Sequence, residues 1–391
     1  MYFVGRQQVI VGVMITAIFL FACTNPVSTD KNVVWEQTYS KGINKCAYAY
    51  SITATSNGGS IVTGSFCRSS SKDSGDILAL RLLDNGTIAS EMFYATAKPS
   101  CGLDAIELPD GGFVVGGMIG ESRYWSLYSG GEFTTMYQGL LIRVNSNGDV
   151  QWVKTFGDSL KHSSANTLLL YDNGTFMVAG KQNDSTCLLK FDLDGNVTQS
   201  KTYAQFCGSA AKSILATTDG GFTISGNRSE NCGFTFHTSG DGAVLWSRWF
   251  GGYSLAPASN GGLAIASFDT RPCQCGSGLA NSWATLIRMN SNGDTLWTKN
   301  YNGAGWLNSI VGDGDTGFYM SVQGGWNAAD AVSEIIRTDS TGTVVWRQPM
   351  GHYYMPGWSV ARPADNSGVL VAGTKGRAEG ALPSIYICKL R

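Results

Sequence analysis

The chain has 391 residues, a formal net charge of −1 and only 15% charged side chains. That balance, with no basic run or stripe, excludes a surface built to track nucleic-acid phosphates. Fifty glycines, 11% aromatic residues and no helix-period segment indicate many short strands joined by tight turns.

In chain order, residues 1–22 read as a signal peptide. Arg6 gives a positive start, and 9–21 is apolar but too short to span a bilayer comfortably as a helix. Leu20-Phe21-Ala22-Cys23 resembles a bacterial lipobox, which implies cleavage before Cys23 and a lipid on its thiol. An ordinary secretory signal with a chance cysteine is the alternative. Residues 23–32 are polar, include Pro26 and read as a tether. Beyond them no segment is long and apolar enough to cross a membrane as a helix.

From residue 33 the chain repeats itself seven times. A short aromatic strand recurs with anchors at Trp35, Ser90, Trp152, Gln199, Trp246, Trp297 and Trp346, at spacings of 47 to 62 residues. Periods in this range mark solenoids, propellers or arrays. The third copy shows the grammar. Leu140 to Val144 is a short apolar run, Asn147-Gly148 a hairpin turn, and Trp152 with Phe156 one face of the next strand. A strand around Leu168, an Asp172-Asn173-Gly174 turn and a strand ending at Gly180 complete it. That last turn recurs as Asn57-Gly58-Gly59, Asp110-Gly111-Gly112, Asp219-Gly220-Gly221, Asn260-Gly261-Gly262, Asp315-Thr316-Gly317 and Asn366-Ser367-Gly368. A basic residue sits in the apolar strand at Arg81, Arg143, Lys190, Arg288, Arg337 and Lys389, replaced by His237 in the fourth copy.

Four strands per unit give about 28 strands. One such antiparallel unit has open edges and cannot bury both faces, whereas radial repetition solves both problems. The chain ends complement each other. Val33–Tyr39 is an outer-type strand, and Ser384–Leu390 is the strand that normally precedes one. The expected fold is therefore all-β: a seven-bladed β-propeller over 33–391, four antiparallel strands per blade, closed by the N-terminal strand.

Segments such as 292–301 and 218–226 resemble bacterial and archaeal β-propeller repeats of cell-surface proteins and lipoproteins. They are also similar, more weakly, to the tryptophan-docking repeats of quinone enzymes and of outer-membrane assembly lipoproteins. Ser90 and Gln199 depart from the docking tryptophan. The resemblance implies a fold and a place in the bacterial cell envelope, lipid-anchored and facing periplasm or cell surface; propellers host many unrelated functions.

Ten cysteines in an oxidising compartment suggest disulfides. By repeat register Cys46–Cys67 and Cys207–Cys232 are equivalent intrablade bridges, each worth about 3 kcal/mol in the chain-entropy model. Cys67–Cys101 is a rival pairing. Cys187 and Cys388 fall inside apolar strands and read as inert thiols. Cys273-Gln274-Cys275 lacks a second pair and a nearby histidine, so no metal site is expected.

No catalytic residue and no cofactor is assigned: no nucleophile elbow, Walker loop or zinc-protease motif is present. His237 holds a structural position, while His162 and His352 sit in loops without a nucleophile motif. Asp192-Leu193-Asp194-Gly195-Asn196 and Asp313-Gly314-Asp315 fall where other copies turn, and turn chemistry outweighs calcium there. The informative residues are the aromatics outside the repeat column. Loops that enter the inner strand or link the second and third strands emerge on one face, around the axial mouth. They carry Arg123, Tyr124, Trp125, Tyr128, Trp283, Trp306, Trp326, Tyr353, Tyr354 and Trp358. Variable loops on a rigid scaffold concentrate binding residues; the alternative is that these rings pack the loops onto the blades. The expected function is a monomeric, non-catalytic binding or scaffold module for a protein or glycan, touching the membrane through its anchor only. The competing reading is an enzyme acting on carbohydrate or another polymer at the axial mouth, with Asp104 and Glu121 the nearest carboxylates.

Overall fold

The computed structural model describes residues 32–40, 46–67, 75–96, 98–120, 136–206, 209–226, 233–269, 283–324, 333–351, 359–375 and 382–391. The signal-like segment and all of the tether except Asn32 lie outside them. So do Cys207, Cys232, Cys273, Cys275, Glu121 and His352.

Blade two shows how local chemistry sets each unit. Ser100–Glu107, Phe113–Gly120, Tyr137–Val144 and Val150–Phe156 pair antiparallel in that order. Between the first two, Gly111 adopts φ +77° and donates its N–H to Leu108 O at 2.9 Å, while the Asp110 side chain accepts the Gly112 N–H at 3.0 Å. A Cβ on Gly112 would lie 2.5 Å from Val144 O, so the strand pairing itself needs a glycine there. Blade one (Ala47–Ala54, Ser60–Cys67, Gly75–Leu82, Ile88–Tyr94) follows the same order. So do blade three (Ser164–Asp172, Thr175–Gln182, Ser185–Asp192, Val197–Tyr203) and blade four (Ala211–Ala216, Phe222–Gly226, Phe234–Thr238, Val244–Arg248).

Blades five and six depart from the expected separate strands. Thr295–Gly312 runs unbroken for 18 residues as both the outer strand of blade five and the inner strand of blade six. Ala304 pairs with Trp283 of blade five, and Gly305 with Gly324 of blade six. Blade five is otherwise Ser254–Pro257, Leu263–Asp269 and Trp283–Met289; blade six adds Gly317–Gly324, Ser333–Asp339 and Val344–Gly351.

Blade seven closes the ring. Its order is Val33–Tyr39, Ser384–Leu390, Val369–Lys375, Ser359–Ala361. The N-terminal strand is outermost and pairs from Tyr39↔Ile385 to Val33↔Leu390, and Arg391 donates its N–H to Asn32 O at 2.9 Å. The molecule is a seven-bladed β-propeller.

The apolar core is divided among the seams between blades. One cluster joins Phe66, Leu78 and Leu80 of blade one to Tyr39, Leu370 and Ile385 of blade seven. Six more fill the seams from blades one and two round to six and seven. The repeat tryptophans lock these seams at their outer edge. Trp35 donates its indole N–H to Asp84 O at 2.9 Å in blade one, and Trp152 to Leu193 O at 3.0 Å in blade three. Four of the five rings lie over a positive-φ glycine of the next blade: a Cβ on Gly86, Gly195, Gly293 or Gly342 would approach Trp35, Trp152, Trp246 or Trp297 within 2.5–3.0 Å. At the positions without tryptophan, Ser90 leaves Gly148 open, with its nearest atom at 3.9 Å.

The basic strand position holds the turns. Arg143 bonds Leu193 O and Asp110, Lys389 lies 3.2 Å from Asp365, and Arg337 bonds Asp313. His237 takes this place in blade four, with Nε2 2.9 Å from Asp219 and Nδ1 3.2 Å from the Thr223 hydroxyl. Cys46 and Cys67 are bridged, their Cα atoms 5.1 Å apart. Cys101, Cys187 and Cys388 are buried free thiols, so Cys67 does not pair with Cys101. Burial pushes the Cys187 and Cys388 thiols up to about 12.

Candidate functional site

Antiparallel pairing gathers inner-strand starts, second-strand ends, third-strand starts and outer-strand ends at one end of the blades. Trp283 opens the third strand of blade five, and Trp306 pairs with Gln323 at the start of the inner stretch of blade six. Through the Trp283↔Ala304 pair the two backbones meet at the seam of these blades. Arg123, Tyr124, Trp125, Tyr128, Trp326, Tyr353, Tyr354 and Trp358 lie outside the described residues.

On this face blade three is described in full. The hairpin turn Asn183-Asp184 takes left-handed backbone angles, φ +51° and +67°, as a two-residue turn between twisted strands requires. It places Asp184 2.8 Å from His162 Nδ1 and 3.7 Å from Lys181. Burial pushes the Asp184 carboxyl up, but the His162 bond and the nearby positive charge outweigh it and hold the group below its ordinary range. Tyr137 stacks edge-on against His162 at 4.8 Å, and burial, then the Asp184 charge, raises its phenol to about 12. The adjacent Ser163 hydroxyl is buried and accepts the Asn183 N–H at 3.0 Å. Asp184 also donates its N–H to His162 O at 3.0 Å, so the pair ties the entry loop to the hairpin turn.

The inner strands form the wall of the axial channel. Blades one, two, three, four and six carry a bulge there, at Tyr50, Leu103, Asn166, Lys212 and Asn308. In blade five Tyr253 and Ser254 both address Ala266, with the same effect. The residue after the bulge is hydroxylic or acidic, Ser51, Asp104, Thr167, Ser213, Ser254 and Ser309, and Ser359 holds the matching place in blade seven. These side chains stitch the blades together. Leu168 N–H donates to Asp104 at 2.9 Å, Leu255 to Ser213 at 3.0 Å, Ile310 to Ser254 at 3.2 Å, Val360 to Ser309 at 3.2 Å, and Ile52 to Ser359 at 3.3 Å. Each bond runs from one blade to the blade before it. At the other two seams, Ser51 donates to Asp104 at 2.8 Å and Asn166 to Ala211 O at 2.7 Å.

Asp104 is therefore a structural member of this belt. Burial pushes its carboxyl up, against the bonds from Leu168, Ser51, Ala105 and Thr167. The belt was missed in the sequence, although a signal was present: a Ser, Thr or Asp precedes an aliphatic or small residue in each inner strand.

Lys212 is the odd member of the wall. It occupies the blade-four bulge, and its side chain is exposed to solvent.

No family model and no curated protein matches the sequence. Solved structures match in fold. The WD40 repeats of RRP9 superpose with a TM-score of 0.59 at 9% identity, over 91% of this chain and 97% of that one. Kuenenia stuttgartiensis hydrazine synthase gives 0.56 at 12%, over 83% and 92%. The Pan2 WD40 domain of Neurospora crassa gives 0.54 at 9%, over 87% and 89%. At such identities the likeness shows the propeller and nothing about its ligands.

Proposed function

We propose that this chain is a lipid-anchored propeller of the bacterial cell envelope that binds a protein or glycan partner through its loop face, without catalysis. The observation that carries this reading is the asymmetry of the two faces. One face is made of short turns whose polar groups are consumed internally, as in Asp110-Gly111-Gly112 with Arg143 and Asp219-Gly220-Gly221 with His237. The other carries the long connections, rich in Trp and Tyr, which supply large contact areas at low entropic cost. The enzymatic alternative needs two positioned carboxylates at the mouth, and Asp104, the first of its two candidates, is engaged in blade-to-blade bonds.

The test is a glycan-array and envelope pull-down screen with wild type beside Trp125→Ala, Trp326→Ala and Trp358→Ala. Partner binding should fall at least tenfold while the melting temperature stays within about 1 °C, a shift corresponding to less than about 1 kcal/mol in a chain of this size. Unfolding of the variants without selective loss of a partner would show that the rings only pack the loops. For the anchor, a palmitate analogue should label the wild type and not Cys23→Ala; label retained on the variant would defeat lipidation at Cys23.

A further inference from the structure

We propose that Asn147 is a site of spontaneous deamidation, and that its twin Asn292 is kept intact by the tryptophan docked on its turn. The inference goes beyond the loop-face reading and does not depend on it. Asn145-Ser146-Asn147-Gly148-Asp149 in blade two and Asn290-Ser291-Asn292-Gly293-Asp294 in blade five are the same sequence in the same hairpin. Their hydrogen bonds match one for one. In both copies the Oδ1 of the first asparagine accepts the N–H of the second asparagine at 3.0 Å and that of the aspartate at 2.9 Å. The glycine donates its N–H to the first asparagine's carbonyl, at 3.1 Å for Gly148 and 3.2 Å for Gly293. Both glycines take left-handed angles, φ +95° and +79°. Asn147 and Asn292 are both exposed.

What differs is the neighbouring blade. An ideal Cβ on Gly148 would lie 3.9 Å from the Ser90 side chain, whereas one on Gly293 would meet three Trp246 ring atoms at 2.7–2.8 Å. Gly293 is buried and Gly148 is half-buried. Deamidation begins when hydroxide or water removes the glycine amide proton. The electron pair on that nitrogen then forms a bond to the asparagine side-chain carbonyl carbon, the carboxamide carbon–nitrogen bond breaks, and ammonia departs with a proton. Water opens the cyclic imide to aspartate or isoaspartate. Glycine admits this closure most readily, because it has no Cβ in the way. In both turns, however, the glycine N–H is bonded to a carbonyl, so its peptide must swing out before the nitrogen can reach the side chain. The reaction therefore follows the population of the opened turn. At Gly148 the swing meets open space; at Gly293 it must push an indole off the seam. The extra backbone carbon of isoaspartate would lengthen the hairpin where Arg81 of blade one reaches across to Ser146 O at 3.3 Å.

The two sites serve as each other's control in one sample. The folded protein is incubated at mildly alkaline pH, and conversion is read by mass-spectrometric peptide mapping together with isoaspartyl methyltransferase labelling. Asn147 should convert about tenfold faster than Asn292, while in denaturant, where no ring is docked, the two should convert at similar rates. Ser90→Trp should slow Asn147 and leave Asn292 unchanged. Trp246→Ala should speed Asn292 and leave Asn147 unchanged. Equal rates in the folded wild type, or a difference that persists undiminished in denaturant, would overturn the proposal. Should a variant fail to fold, the comparison of folded with denatured wild type decides by itself.

Discussion

At the scale of single residues, the tryptophan column and its glycines form one device. Gly293 and Gly220 have almost the same backbone angle, φ +79° and +81°. They differ in what lies above them: a Cβ on Gly293 would sit 2.7 Å from the Trp246 ring, whereas nothing lies within 4 Å of one on Gly220. Left-handed backbone costs a non-glycine residue about 1–2 kcal/mol. Gly220→Ala should therefore lose about 1 kcal/mol in denaturant unfolding, and Gly293→Ala about 1–2 kcal/mol more for displacing the ring. Equal losses would mean that the ring yields freely and does not clamp the seam. These glycines were legible as turn residues, because Asn-Gly and Asp-Gly pairs announce positive φ. Their second duty under a neighbouring blade's tryptophan was not, since it joins positions about 50 residues apart.

At the scale of elements, the inner strands carry the least obvious information. An alternating polar and apolar strand reads as one face in water and one in the core. A bulge interrupts that alternation, and it turned a run of solvent-like serines into a belt of bonds between blades. Ser309→Ala would strand the N–H of Val360, which is bonded at 3.2 Å in a buried strand. The expected loss is about 1–3 kcal/mol. Ser333→Ala is the control, because among the described residues the buried Ser333 hydroxyl has no partner; its loss should be near zero. If both variants melt alike, the belt is ornamental to stability.

At the scale of the whole molecule, the number of blades and the closing strand were legible. Turn spacing counted the units, and the mismatched chain ends implied the clasp. The loop face was legible only as composition: aromatic content shows in sequence, but the relative placement of long loops depends on packing that no periodicity encodes. Thr295–Gly312 was missed as a single strand for a related reason, since Asn302-Gly303 and Gly305 look like a break between blades. Deleting 33–39 removes buried Tyr39 from its cluster and bares the edge of Ser384–Leu390. Tyr39 alone should be worth about 3–5 kcal/mol. The deletion should lower the melting temperature by more than about 10 °C in calorimetry. A loss no greater than that of Tyr39→Ala would show that the rest of the strand adds nothing.

The clasp also sets an order of events. Val33–Tyr39 is the first blade strand to leave the ribosome, and its partner Ser384–Leu390 is the last. Blades one to six need only neighbours close in the chain, whereas closure waits for contacts spanning nearly its full length, which are slow to form. In that interval the nascent protein displays one naked β-edge and one unattached strand that matches it. Within one chain they find each other and the ring is sealed. Between two crowded chains the same complementarity lets the strand of one complete the last blade of the other, so the device that seals the ring is also its most direct route to a domain-swapped pair.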